Sequence, residues 1–219
     1  MRKLVIEKSA VKNNLAVIKE RAAGAVIYGV LSGDGGGAGI VALAQLLRDE
    51  GIGHFAVSEV SEAQALREAG FVDEEILMLR STTDREELER LVDLNAVCTI
   101  SSVDTGMALN ALAENRSTVV EAHIQVDTGM GFGGFLVGEP EKILLAYRSL
   151  PNVALSGIYT QLHAAQPNDP EAKQQLEQFH QVLDTIHSAG FETGVVHAAG
   201  SFSLLHDDSA RLDGVRAGS

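Results

Sequence analysis

Cysteine is nearly absent from this chain: Cys98 is the only one among 219 residues. That excludes an internal disulfide and suits a reducing, cytoplasmic setting. Its neighbours Ala96, Val97, Thr99 and Ile100 predict a buried, inert thiol. Tryptophan is missing and proline is rare, with four in all. No Pro/Gly/Ser-rich linker divides the chain, so residues 1–219 read as one domain. Basic residues are outnumbered 30 to 17, and a net charge of −13 argues against nucleic acid or an anionic membrane surface as partner. No apolar run approaches the ~18 residues of a membrane-spanning helix. Met1-Arg2-Lys3-Leu4 opens no signal peptide.

What the chain does have is alternation. Eight short β-rich runs recur, at 25–31, 54–58, 75–79, 96–100, 119–127, 154–163, 194–198 and 214–217. Most are continuously apolar, as strands covered by helices on one side and packed on the other must be. Stretches with helical spacing lie between them: Ile40, Leu43, Ala44 and Leu47; Leu88, Leu91 and Val92; Phe179, Val182, Leu183 and Ile186. Ser61 and Gln64 read as a capping box before one of these helices. A further helix is predicted over 9–22, ahead of the first strand. Eight β/α alternations point to a (β/α)8 TIM-type barrel of parallel strands, with a doubly wound open sheet as the rival. Only Gly218 and Ser219 follow the eighth strand, so no full eighth helix is expected, and the outer face of that strand near Val215 is expected to be uncovered and open to self-association.

Phe55-Ala56-Val57-Ser58 followed by Glu62-Ala63 and Leu66-Arg67-Glu68-Ala69-Gly70 is one of six blocks that resemble, in order, those of the alanine racemases, here the second strand and helix. Val30-Leu31-Ser32-Gly33-Asp34-Gly35-Gly36-Gly37-Ala38-Gly39 is similar to that family's V-V-K-A-D-A-Y-G-H-G; Val126-Asp127-Thr128-Gly129-Met130-Gly131 to V-D-T-G-M-G; Gly157-Ile158-Tyr159-Thr160 to G-I-Y-T; Val196-His197-Ala198-Ala199 with Ser201 to H-A-A-N-S; and Val215-Arg216 with Gly218 to V-R-P-G. The resemblance implies the barrel, and a pyridoxal phosphate (PLP) cofactor held as a Schiff base on the motif lysine. It also implies a second, β-rich C-terminal domain, for which no residues remain here. Ser201, Gly218 and Ser219 match positions that hold the cofactor phosphate, and Arg216 matches the arginine facing the pyridine nitrogen.

The departures fall on pocket positions. The motif lysine is Ser32 and the phosphate-holding tyrosine is Gly36. Gln125, Phe132, Gln161 and Gly200 replace a lysine, an arginine, a histidine and an asparagine. A serine forms no imine, so covalent PLP and racemisation are not expected, while a phosphate or sulfate can still bind. Replacement confined to the pocket suggests redesign or a natural pseudoenzyme. Phe132, Gly133, Gly36 and Gly200 suggest a roomier, less charged cavity for a small-molecule ligand in the barrel mouth.

Barrel active sites lie at strand C-terminal ends. There, Ser32 and His163 suggest a serine hydrolase acting on activated esters: Ser32 as nucleophile, His163 as base, and Asp127 or Gln125 holding the imidazole. Backbone N–H groups of the glycine-rich turn would then stabilise the oxyanion. The alternative is a non-catalytic PLP- or phosphate-binding barrel, or a purely structural one.

Overall fold

A computed structural model describes residues 5–163 and 168–218. Eight parallel strands form the barrel wall: β1 (Val26–Val30), β2 (His54–Val57), β3 (Glu75–Met78), β4 (Cys98–Ile100), β5 (Val120–Asp127), β7 (Val153–Thr160), β8 (Val195–Ala199) and β9 (Gly214–Ala217). They follow the order β3-β2-β1-β9-β8-β7-β5-β4. The wall closes where Met78 N–H donates to Val97 O and Val97 N–H donates to Ile76 O, at 2.9 and 2.8 Å. Each expected strand is present. β6 (Phe135–Leu136), a two-residue strand beside the end of β5, had no signal in the sequence.

Helices α1 (Lys8–Ala22), α3 (Ile40–Asp49), α4 (Val60–Glu68), α5 (Arg85–Asp93), α6 (Val103–Asn115), α7 (Pro140–Ser149) and α8 (Pro170–Ser188) surround the strands. Their apolar stripes and the outward-facing strand residues form one continuous core, with Phe55, Leu66, Ile76, Ile158, Phe179 and Val215 wholly or nearly wholly buried. Burying one such side chain contributes about 1.5–3 kcal/mol. A second, smaller apolar cluster of Tyr28, Ala56, Leu77 and Val97 fills the inside of the barrel along β1–β4. The thiol of Cys98 is buried as expected, and burial pushes its pKa up to about 12.

Two local expectations are corrected. The box that starts α4 is formed by Glu59 and Glu62, not Ser61 and Gln64, because the helix begins at Val60. The outer face of β9 is not bare: α1 and α9 (Ser201–His206) pack against it, and Val215 is fully buried. An apolar groove of about 220 Å³ remains between α1 and α3, lined by Leu15, Ile18, Leu43, Leu47 and Ile52. No helix among the described residues is long and apolar enough to cross a membrane.

Candidate functional site at the barrel mouth

On the β5–β9 side the barrel interior is polar and built around Arg216. Strand alternation brings it in: Arg216 lies opposite Tyr28 on β1, and His197 lies opposite Tyr159 on β7. The guanidinium is buried. Its Nη1 donates to His197 Nδ1 at 2.8 Å, and its Nη2 donates to Thr160 O, Gln161 Oε1 and Ala198 O at 2.8, 2.9 and 3.2 Å. Every one of these acceptors is neutral. Burial lowers the arginine pKa to about 10, which still leaves it charged at neutral pH.

A guanidinium only donates, so the His197 proton is on Nε2. That N–H donates to His123 Nδ1 at 3.0 Å, which places the His123 proton on its own Nε2. Both imidazoles are therefore neutral. Burial, with Arg216 adding to it, lowers the His123 pKa to about 4 and pushes His197 well below its ordinary 6.5. The His197 ring stacks between Tyr28 and Tyr159, with centroids 5.1 and 4.9 Å away. Gly157 makes room for His123: a Cβ there would lie 2.5 Å from its Nε2.

Ser201 and Gly218 lie beside this cluster. Gly218 N–H donates to Ser201 Oγ at 2.9 Å, at the start of α9. Ser219 lies outside the described residues.

The β1–β2 side is arranged differently. Ser32 opens α2 (Ser32–Gly36), which is a left-handed turn: φ is 67° at Gly33, 55° at Asp34, 63° at Gly35, 65° at Gly36 and 82° at Gly37. Glycine populates this region without penalty, so four glycines in five residues permit the turn. Ser32 Oγ shares a hydrogen bond with Ser58 Oγ at 2.6 Å. The N–H groups of Gly33 and Asp34 donate to Glu62 Oε1 at 2.6 and 3.2 Å.

The structure does not assemble the acyl-transfer group expected of Ser32, His163 and Asp127. His163 Nδ1 is 3.0 Å from Asp169 Oδ2, and its backbone N–H donates to Gln175 Oε1 at 2.6 Å. Asp127 Oδ1 accepts from Gly129 and Gly131 N–H, at 2.9 and 3.1 Å, and so shapes its own loop. β9 and β8 stand between β1 and β7 in the wall. The N–H groups proposed as oxyanion donors already bind the Glu62 carboxylate. Phe132, expected to line the pocket, is 70% exposed, because it sits on the tip of the Gly129–Gly134 loop.

The sequence reading missed Glu62, Ser58, Asp169 and the pairing of His123 with His197. Alternation along β5, β7 and β8 carried a signal for the last of these, since His123, Tyr159 and His197 all occupy inward positions. Asp169 is the N-cap of α8 and precedes Pro170, which is a helix-start signal.

Lysine-linked PLP does not fit this mouth. The described lysines, 8, 12, 19, 142 and 173, all lie on α1, α7 and α8, outside the wall. Arg216, Ser201 and Gly218 are present at the ends of β8 and β9.

The class that the fold defines is the parallel β/α barrel, here with a polar cluster at its strand ends. The family whose description reads "Alanine racemase, N-terminal domain" matches residues 6–219, and the chain belongs to it. It is 33% identical over 209 residues to the alanine racemase of Carboxydothermus hydrogenoformans, covering 95% of this chain and 56% of that protein. It is 32% identical to the Thermobifida fusca alanine racemase, covering 97% and 58%. The alanine racemase of Clostridium difficile 630 superposes with a TM-score of 0.89 at 27% identity, over 96% of this chain and 55% of that one. The chain thus spans little more than half the length of these relatives.

Proposed function

We propose that the protein binds a small anion of the pyridoxal phosphate class non-covalently, at the β7–β9 side of the barrel mouth, and does not racemise amino acids. Arg216 carries the reading. It is a buried cation whose hydrogen-bond acceptors among the described residues include no carboxylate. An uncompensated buried charge costs several kcal/mol, and a bound anion offsets part of that. Ser201, whose Oγ accepts from Gly218 N–H, keeps its own hydroxyl proton to donate nearby. The relatives are named alanine racemases, which points to PLP as the first ligand to try. Ser32 in the lysine position supports binding without a covalent link. The lone buried cysteine supports a reducing, cytoplasmic setting.

Ester hydrolysis through Ser32 has less support, since its base, orienting carboxylate and oxyanion donors are engaged elsewhere. Self-association also loses its expected route, because Val215 is covered.

Calorimetric titration with PLP and with inorganic phosphate tests the proposal. Both should bind saturably to the parent protein. Arg216→Met should weaken PLP by roughly 10–100-fold, the worth of one charge-assisted contact. Borohydride treatment of the PLP complex should leave the protein mass unchanged. Equal affinity in Arg216→Met, absence of binding to the parent, or a phosphopyridoxyl adduct on a mouth residue would each overturn it.

A further inference from the structure

Glu62 is a carboxylate held where a ligand anion would sit. Oε1 accepts from Gly33 and Asp34 N–H at 2.6 and 3.2 Å, and Oε2 accepts from Ser58 and Glu59 N–H at 3.0 and 3.1 Å. Four backbone donors from two different turns thus converge on one anionic group. Successive left-handed residues turn their N–H groups toward one concave side, an arrangement that attracts anions. The surroundings add to it. Ser58 supplies a hydroxyl next to its donating N–H, and Ser32 Oγ lies 2.6 Å from that hydroxyl. Arg80 donates from Nε to Ser58 O at 3.2 Å and from Nη2 to Glu59 Oε2 at 3.3 Å, which brings a guanidinium against the same turn. Its charge is shared with Glu87, so it is not free to neutralise a further anion alone. Space is also available: a Cβ at Gly33, Gly36 or Gly37 would meet no atom within 4 Å.

We propose that the β1–β2 rim is an oxyanion-binding site kept closed by the chain's own Glu62. A phosphate or carboxylate group from outside enters only when the Glu62 side chain leaves. The donors then pass from one oxyanion to another, with the Ser32 and Ser58 hydroxyls as additional donors. This site uses none of the groups that Arg216 binds: Arg216 lies on β9, the neighbour of β1, and donates to His197, Thr160, Gln161 and Ala198 on the far side of β9.

Inorganic phosphate is the probe, and the backbone amide resonances of Gly33, Asp34, Ser58 and Glu59 are the readout. In the parent protein these four should not shift saturably at millimolar phosphate. In Glu62→Ala they should shift together and saturate, at least roughly tenfold more tightly than in the parent, as expected when one charge-assisted competitor is removed. Glu62→Gln covers the case in which the alanine variant does not fold. It keeps the side-chain length but has one acceptor oxygen where the carboxylate has two, so the same amides should respond, more weakly. Arg216→Met should leave the response of Glu62→Ala unchanged, which separates this proposal from the PLP-class reading. A folded Glu62→Ala or Glu62→Gln whose four amides ignore phosphate would overturn it. So would a parent protein whose four amides saturate as readily as the variants.

Discussion

The two sides of the barrel mouth solve the same electrostatic problem in opposite ways. On the β1–β2 side, backbone donors that would attract an anion are satisfied from within by Glu62, and Ser32 is satisfied by Ser58. On the β7–β9 side, a cation is buried among neutral acceptors. A site is therefore not identified by the presence of reactive residue types. It is identified by which polar groups the fold leaves uncompensated. Ser32, the most conspicuous departure in the sequence, is paired with Ser58, while Arg216, an ordinary motif residue, is hydrogen-bonded among the described residues only to neutral acceptors.

Acid sharpens the comparison most. His123 and His197 are neutral beneath Arg216, with pKa values held below those of the unfolded chain. The unfolded state takes up their protons below pH 6.5 and the folded state does not, so stability is lost as pH falls from 6.5 toward the folded value of about 4 for His123. His123 contributes roughly 2–4 kcal/mol to that loss, and His197 adds to it in the same direction. Denaturant melts at pH 7, 5.5 and 4.5 should show it, and His123→Asn should flatten the slope. An unchanged slope in a folded His123→Asn would break this account of the β7–β9 side.

Next in size is Glu62→Ala, which strips four backbone donors of their acceptor. A cost of about 2–3 kcal/mol is expected at pH 7, read from urea melts. Ser32→Ala removes only the Ser58 bond and should cost about 0.5–1.5 kcal/mol. It should leave any slow hydrolysis of an activated ester unchanged; a large drop in that rate would restore Ser32 as a nucleophile. The smallest effect is expected at the other end of the barrel. Glu75 starts β3, one of its carboxylate oxygens is buried without a hydrogen-bond partner, and burial raises its pKa above the ordinary 4.5. Its charged form destabilises the fold above that value, so Glu75→Gln should raise Tm modestly at pH 7. The gain should shrink as pH falls from the raised folded value toward 4.5 and vanish below it. An equal gain at all pH values would point to packing instead of charge.

The wall was legible because period-2 burial and helical stripes are local: eight strands were read, and eight form the barrel. β6 was invisible because two residues carry no period. Within the site, Arg216, Ser201 and Gly218 were visible as motif residues. Ser32 and His163 were visible as anomalies, but their partners were not. Glu62 lies 29 residues from Gly33, and His123 lies 74 from His197. No spacing rule links residues so far apart, and only closure of the barrel brings them together.

By itself the sequence determined the alternation of strands and helices, the family and the serine at position 32, because these depend on residue identity and short-range periodicity. Only the tertiary structure decided which polar groups satisfy one another. Hydrogen bonds demand approach within about 3 Å, and the curvature of the wall sets those approaches: it puts Glu62 against the glycine turn, Asp169 against His163, and, among the described residues, only neutral acceptors around Arg216.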